Sequence, residues 1–190
     1  IRDRVSTFVN NTFVNNRLTA KSSSLSDKTN GGSAIYFKSG SGSLNLVNNT
    51  IVGNTDSCYT TSGVPSVNFN GSAVHVISGK VRLVNNIIAG NFSSAAAAGE
   101  VYLGESASLQ NSTYNLYGGA DRMNITAKST DMVCRNYDRC VQDLQKVLDS
   151  EIVDGKLSLL LSDNGGFAPT VKVKSVACGN NNLNVLGAAA

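Results

Sequence analysis

The sequence predicts an all-β protein: about four stacked coils of a parallel β-helix over residues 1–119, then a C-terminal α+β capping segment over 120–190. Three observations predict it. Charged residues make up only 15% of the 190, and Asn, Ser, Gly and Thr fill the gap, which suits a turn-rich β protein. An asparagine-pair motif recurs as "VNNTFVNN" (9–16), "VNNTIVGN" (47–54), "VNNIIAGN" (84–91) and a degraded "LQNSTYNL" (109–116). An alternating segment also recurs, as "GSAIYF" (32–37), "GSAVHV" (71–76) and "GEVYLG" (99–104).

The alternating segment comes first in each unit. It puts Ile35/Val74/Val101 and Phe37/Val76/Leu103 on one face and Tyr36/His75/Tyr102 on the other, the period of a half-buried strand. Ala34/Ala73/Glu100 and Asn45/Arg82/Ser108 align as further outward positions. A second strand, "SLNLVN", and a third, "TIVG", complete the unit. Three short strands per unit, like stacked on like, describe coils that hydrogen-bond to one another at the ~4.8 Å strand spacing.

The asparagine pairs mark the bends. Matching Asn10–Asn11, Asn48–Asn49, Asn85–Asn86 and Gln110–Asn111 gives spacings of 38, 37 and 25 residues. Asn tolerates left-handed backbone angles, and its amide can bond the coils above and below. A structural ladder is therefore expected at Asn10, Asn48, Asn85 and Asn111, with the inward-pointing member of each pair left open. A further Asn closes the first three motifs, at Asn16, Asn54 and Asn91. Segments 17–31 and 55–70, polar and rich in Ser and Thr, are expected as loops side by side on one edge.

Beyond residue 119 the repeat stops. "YDRCVQDLQKVLDS" spaces Cys140, Val141, Leu144, Val147 and Leu148 on one helical face, which predicts a helix over about 138–149. Strands are expected at about 156–161 and 170–177, around the Gly165–Gly166 turn. The segment is expected to cap the open end of the stack, where strand edges and core would otherwise be bare.

These motifs carry a resemblance. "GGSAI" (31–35) and "FVNN" (8–11 and 13–16) resemble the right-handed parallel β-helix repeats of bacterial secreted proteins, including the pectate-lyase-like superfamily. "LLLSDNGGFAPTVKV" (159–173) resembles an element near the C-terminus of bacterial surface β-helix proteins with a choice-of-anchor domain. The resemblance implies a right-handed coil, an exported bacterial protein and an extracellular or cell-surface location. Four coils make a stack only ~19 Å tall, and "IRDRVSTFVNN" shows no cap, so further coils of the same polypeptide are expected upstream.

Four cysteines, Cys58, Cys134, Cys140 and Cys178, have no C-x-x-C spacing and one His for company, which argues against zinc. Their even number fits disulfides in an exported protein, with buried thiols the alternative. Proximity favours Cys134–Cys140 and Cys58–Cys178 among the three connectivities. A net charge of +3 is too small and scattered for a nucleic-acid partner, and no run approaches the ~20 apolar residues of a membrane span. The aligned outward positions supply no paired carboxylates, so no catalytic residue, metal or cofactor is expected. The Tyr36–His75–Tyr102 row is the candidate ligand-binding feature, since stacked aromatics can pack on sugar rings. The expected function is a non-catalytic fragment of a cell-surface protein that serves adhesion or binds a polysaccharide or host glycan. The alternative is the C-terminal half of a polysaccharide lyase or glycoside hydrolase with its catalytic coils upstream.

Overall fold

The computed structural model describes residues 4–22, 31–60, 73–94, 99–163, 169–172 and 174. The chain is mostly β, and it visits three parallel sheets in rotation. A first pass contributes β1 (Val5–Val9), β2 (Thr12–Val14) and β3 (Arg17–Ser22). The second contributes β4 (Ile35–Val47), β5 (Thr50–Val52) and β6 (Thr55–Thr60), and the third β7 (Val74–Val84), β8 (Ile87–Ala89) and β9 (Phe92–Ser93). The fourth adds β10 (Val101–Leu109) and β11 (Leu116–Tyr117). Sheet order follows chain order: β1-β4-β7-β10, then β2-β5-β8-β11 extended by β12 (Met132–Val133), then β3-β6-β9. Like pairs with like, as in Phe8↔Leu46↔Leu83 and Phe13↔Ile51↔Ile88. Leu44, Leu46, Ile51, Val81, Leu83 and Ile88 are fully buried in one shared core.

Two buried amide ladders run across the passes. In the first, the backbone N–H and the Nδ2 of Asn11 both donate to Asn49 Oδ1, at 2.9 and 3.2 Å. Asn49 repeats this to Asn86, and Asn86 to Asn115. In the second, Asn16 donates to Asn54 and Asn54 to Asn91 in the same way. Each interior Nδ2 spends its other hydrogen on a carbonyl of the preceding pass, as Asn86 does on Leu46 at 2.9 Å. An Asn amide has two donors and an oxygen with two lone pairs, so these side chains are fully satisfied. That is why five of them, Asn49, Asn54, Asn86, Asn91 and Asn115, can be at most 1% exposed. The residue before each ladder Asn makes the bend. Asn10, Asn48, Asn85 and Tyr114 have φ between 53° and 61°, and Asn15, Gly53 and Gly90 between 56° and 68°.

The ladder expected at Asn10, Asn48, Asn85 and Asn111 is therefore corrected. The first Asn of each pair is the left-handed bend residue, and the second points inward. Asn10, Asn48 and Asn85 keep a single lateral rung, from Asn85 Nδ2 to Asn48 Oδ1 at 2.9 Å. Asn111 is exposed and belongs to neither ladder. The fourth bend is Tyr114–Asn115, whose Tyr hides the repeat. Two strand assignments also change. "SAIYF" and "SLNLV" share one long strand, β4, whose pairing with β7 is irregular between Phe37 and Ser43. Residues Arg17–Ser22 and Thr55–Thr60, expected in loops, pair as β3 and β6.

The C-terminal segment divides its work. Residues 120–133 close one end of the core, where Met123, Ile125 and Ala127 pack against it. Asn124 binds both the N–H and the carbonyl of Leu103 at 2.7 Å, taking the place of another strand on β10. The helix α1 (Tyr137–Val147) lies on the flank of the five-stranded sheet instead of over the end. Its Cys140, Val141 and Leu144 meet Val52, Ile87 and Ala89 on the face opposite the main core. Asn136 caps its N-terminus by accepting from the Arg139 N–H at 2.9 Å. The hairpin of β13 (Ser150–Val153) and β14 (Lys156–Leu159) turns at Asp154–Gly155, both at positive φ. It adds Leu157 and Leu159 to the flank, and Asn15 grips the Leu159 backbone through two bonds of 2.7 and 2.9 Å. β15 (Leu161–Ser162) pairs antiparallel with β16 (Thr170–Val171); half of the strand expected at 170–177 lies outside the described residues.

Asn86→Ala would strand the two Asn49 donors and take a donor from the Leu46 carbonyl and Asn115 Oδ1 in a dry interior. At roughly 1–3 kcal/mol per stranded group, the variant is expected to lose at least about 3 kcal/mol in denaturant unfolding. Asn48→Gly keeps the left-handed bend and should stay within about 1 kcal/mol of the parent. Gly90→Ala combines positive φ with a new Cβ 2.8 Å from Leu144 and 2.9 Å from Leu157. It should destabilise by more than about 1 kcal/mol and loosen α1 from the sheet, read as a lower unfolding midpoint and faster amide exchange in the helix.

Candidate functional site

The aromatic row is the first candidate. Parallel pairing sets Tyr36 beside His75 and His75 beside Tyr102. Ring centroids are 5.8 and 5.0 Å apart, and the rings are tilted by 39° and 55°. Tyr36 is 46% exposed, Tyr102 is half-buried and His75 is fully buried. The row thus forms, but its centre faces no solvent, and the accessible aromatic surface belongs to Tyr36 and part of Tyr102.

Two clefts open elsewhere. One, of about 350 Å³, is lined by Arg82, Leu109, Gln110, Asn111 and Lys128. This is where Asn111 lies. The other, of about 530 Å³, is lined by Arg4, Ser6, Phe37, Lys38 and the Ser39–Ser41 stretch of β4. Each combines two cations with hydroxyl or amide groups, and neither lining includes a carboxylate. Register places Lys80 opposite both Ser43 and Ser108, while Arg82 stands opposite Asn45.

A third cluster was not foreseen. Glu100, aligned with Ala34 and Ala73 as an outward residue, is fully buried. It ends the second amide ladder: Oε1 accepts from the Asn91 N–H at 3.3 Å and Oε2 from Asn91 Nδ2 at 2.5 Å. The surrounding backbone is glycine, and a Cβ on Gly118 would collide with the Glu100 carboxyl while one on Gly99 would press on the Arg122 guanidinium. Arg122 lies over the Tyr137 ring at 4.7 Å, Tyr137 meets Phe92 edge-on at 6.4 Å, and Lys156 covers Phe92 at 4.7 Å. Burial raises the Glu100 carboxyl to about 8, against the Asn91 hydrogen bonds and the Arg122 charge, which pull it down. Tyr137 is raised to about 12 by its own burial, then by Glu100. The alternation of "GEVYLG" points Glu100 outward, so periodicity alone does not find it.

The first ladder also ends on a carboxylate. Asp131 Oδ1 accepts from the Asn115 N–H at 2.8 Å and Nδ2 at 3.2 Å, and its Oδ2 accepts from the Lys128 N–H at 2.8 Å.

The expected Cys134–Cys140 disulfide is corrected: both are free thiols. Cys140 is buried and Cys134 half-buried, and they share a hydrogen bond. That bond, then burial, raises the Cys140 thiol; the same bond lowers Cys134. Cys140 belongs to the packed face of α1, where it serves as a small apolar side chain. The Cys58 side chain and Cys178 lie outside what is described. Among the described residues no cluster of three or more His, Cys, Asp or Glu could hold a metal, and no helix is long and apolar enough to cross a membrane.

The buried carboxyl makes stability depend on pH. The folded-state value of Glu100, about 8, lies above its ordinary 4.5, so folding favours the protonated form. Its contribution is intact below the ordinary value and is lost as pH rises through about 8. Unfolding free energy should therefore fall between about pH 4.5 and 8. Glu100→Gln keeps an oxygen for Asn91 but carries no charge and should flatten that slope; an unchanged slope would assign it to other groups. No protein-family model, curated protein or solved structure matches the chain.

Proposed function

We propose that the three parallel sheets form the coils of a right-handed parallel β-helix belonging to an exported bacterial cell-surface protein, and that its outward sheet face binds glycans in adhesion. The rotation of consecutive strands through the same three sheets supports the coil. The likeness of "LLLSDNGGFAPTVKV" to surface-protein C-terminal elements supports export. One observation carries the binding reading: an aromatic row and carboxylate-free clefts sit on a rigid parallel sheet. An exposed tyrosine offers an apolar face to the C–H side of a sugar and a hydroxyl to its rim. The cations and amides of the clefts suit hydroxyl and carboxylate groups of a polysaccharide or host glycan. Glu100 does not serve as a general acid in this reading, because its carboxyl is enclosed and lines neither cleft.

A glycan array probed with the parent, Tyr36→Ala and Tyr102→Ala tests this. Losing an aromatic platform worth about 1 kcal/mol weakens binding about fivefold. Tyr36→Ala should show at least that loss on the glycans the parent retains, and Tyr102→Ala a smaller one. Unchanged binding in both would dismiss the aromatic row as a sugar platform.

A further inference from the structure

The first pass leaves β1, β2 and β3 at the same end of all three sheets. Val5 and Val9 are 64% and 49% exposed there. Phe8 and Phe13, packed edge-on at 5.9 Å, are less buried than their register partners Leu46 and Ile51, which are fully enclosed. The ladders give this end a chemical polarity. At every interior rung, the Oδ1 of an Asn accepts two bonds from the preceding pass, one from a backbone N–H and one from an Nδ2. Asn11 and Asn16 donate onward to Asn49 and Asn54, and among the described residues nothing donates to their own Oδ1 atoms.

The geometry points to β1, β2 and β3 as a docking edge for one kind of partner: a further parallel coil whose bends carry an Asn after a positive-φ residue. Such a coil delivers two pairs of N–H and Nδ2–H donors to Asn11 and Asn16 and covers the Phe8–Phe13 pair. A second copy of this chain does not meet the requirement. Its opposite end stops both ladders on Glu100 and Asp131, whose carboxyls carry no amide N–H, and Asn124 occupies the Leu103 stretch of β10. Two first-pass edges brought together would set acceptor against acceptor. The two acidic terminators thus confine stacking to one end, a safeguard against edge-to-edge association. This inference rests on the stacking geometry and is independent of the glycan reading.

The test supplies the partner in cis. Val5 pairs with Ser43, and Ser43 with Lys80, so a copy of residues 43–79 joined directly to Val5 enters β1 as the native stretch enters Lys80. The copy's Asn49 and Asn54 then fall opposite Asn11 and Asn16. Expected are a raised Tm and backbone amide exchange across Val5–Val9 slowed by at least about tenfold. The same copy carrying Asn49→Asp and Asn54→Asp matches it in length and hydrophobic pattern but lacks the side-chain amide donors, and should forfeit most of both gains. Copies that act alike, or an Asn copy that leaves Val5–Val9 unprotected for any reason, misfolding of the copy included, would overturn the proposal.

Discussion

A buried amide must find partners for every donor and lone pair, and this requirement sets the architecture. Each ladder Asn can be satisfied only if the passes before and after it lie in parallel register, one strand spacing away. The left-handed residue ahead of it, Asn10, Asn48, Asn85 or Tyr114 in one column, turns the backbone so that the amide points inward. Bend, inward Asn and parallel register therefore form a single constraint. The apolar core follows from it, because the same register brings Leu46 beside Leu83 and Ile51 beside Ile88.

The constraint also explains how the two ladders end. A ladder of identical amides has an acceptor left over at one end and donors left over at the other. The donor end is closed by Asp131 in one column and Glu100 in the other. Asp131 anchors in a local turn with the Lys128 backbone. Glu100 is sealed beneath glycine backbone, and its burial raises its carboxyl to about 8. An acid in that position reads as a terminator of a hydrogen-bond column, a role separate from the clefts on the sheet surface.

Much of this was legible in the residues, for identifiable reasons. The Asn repeat and the alternation of "GSAIYF" and "GSAVHV" gave the parallel register and the Tyr36–His75–Tyr102 row. Helix α1 was readable from its apolar stripe, within two residues at either end. The signal failed where chemistry overrode pattern. Tyr114 takes the left-handed bend that Asn takes elsewhere, which moved the fourth motif onto Gln110–Asn111. β3 and β6 carry polar residues that imitate a loop, although Asp56 and Ser57 are fully buried. The Asp154–Gly155 turn is marked in the sequence by "VDGK", but one dipeptide does not say which strands it joins. The flank position of α1 was not readable, because a single apolar stripe does not say which surface it will cover. The outward Val52, Ile87 and Ala89 show it only once the sheet is in place.

The most direct measurement is nuclear magnetic resonance of the ladder amides themselves. With Asn side chains labelled, the account predicts close contacts between the Nδ2 protons of Asn49 and Asn86, and of Asn86 and Asn115, with exchange as slow as the core backbone. Side-chain amides that exchange at solvent rates, or that show no contacts between residues 37 and 29 apart in sequence, would contradict it.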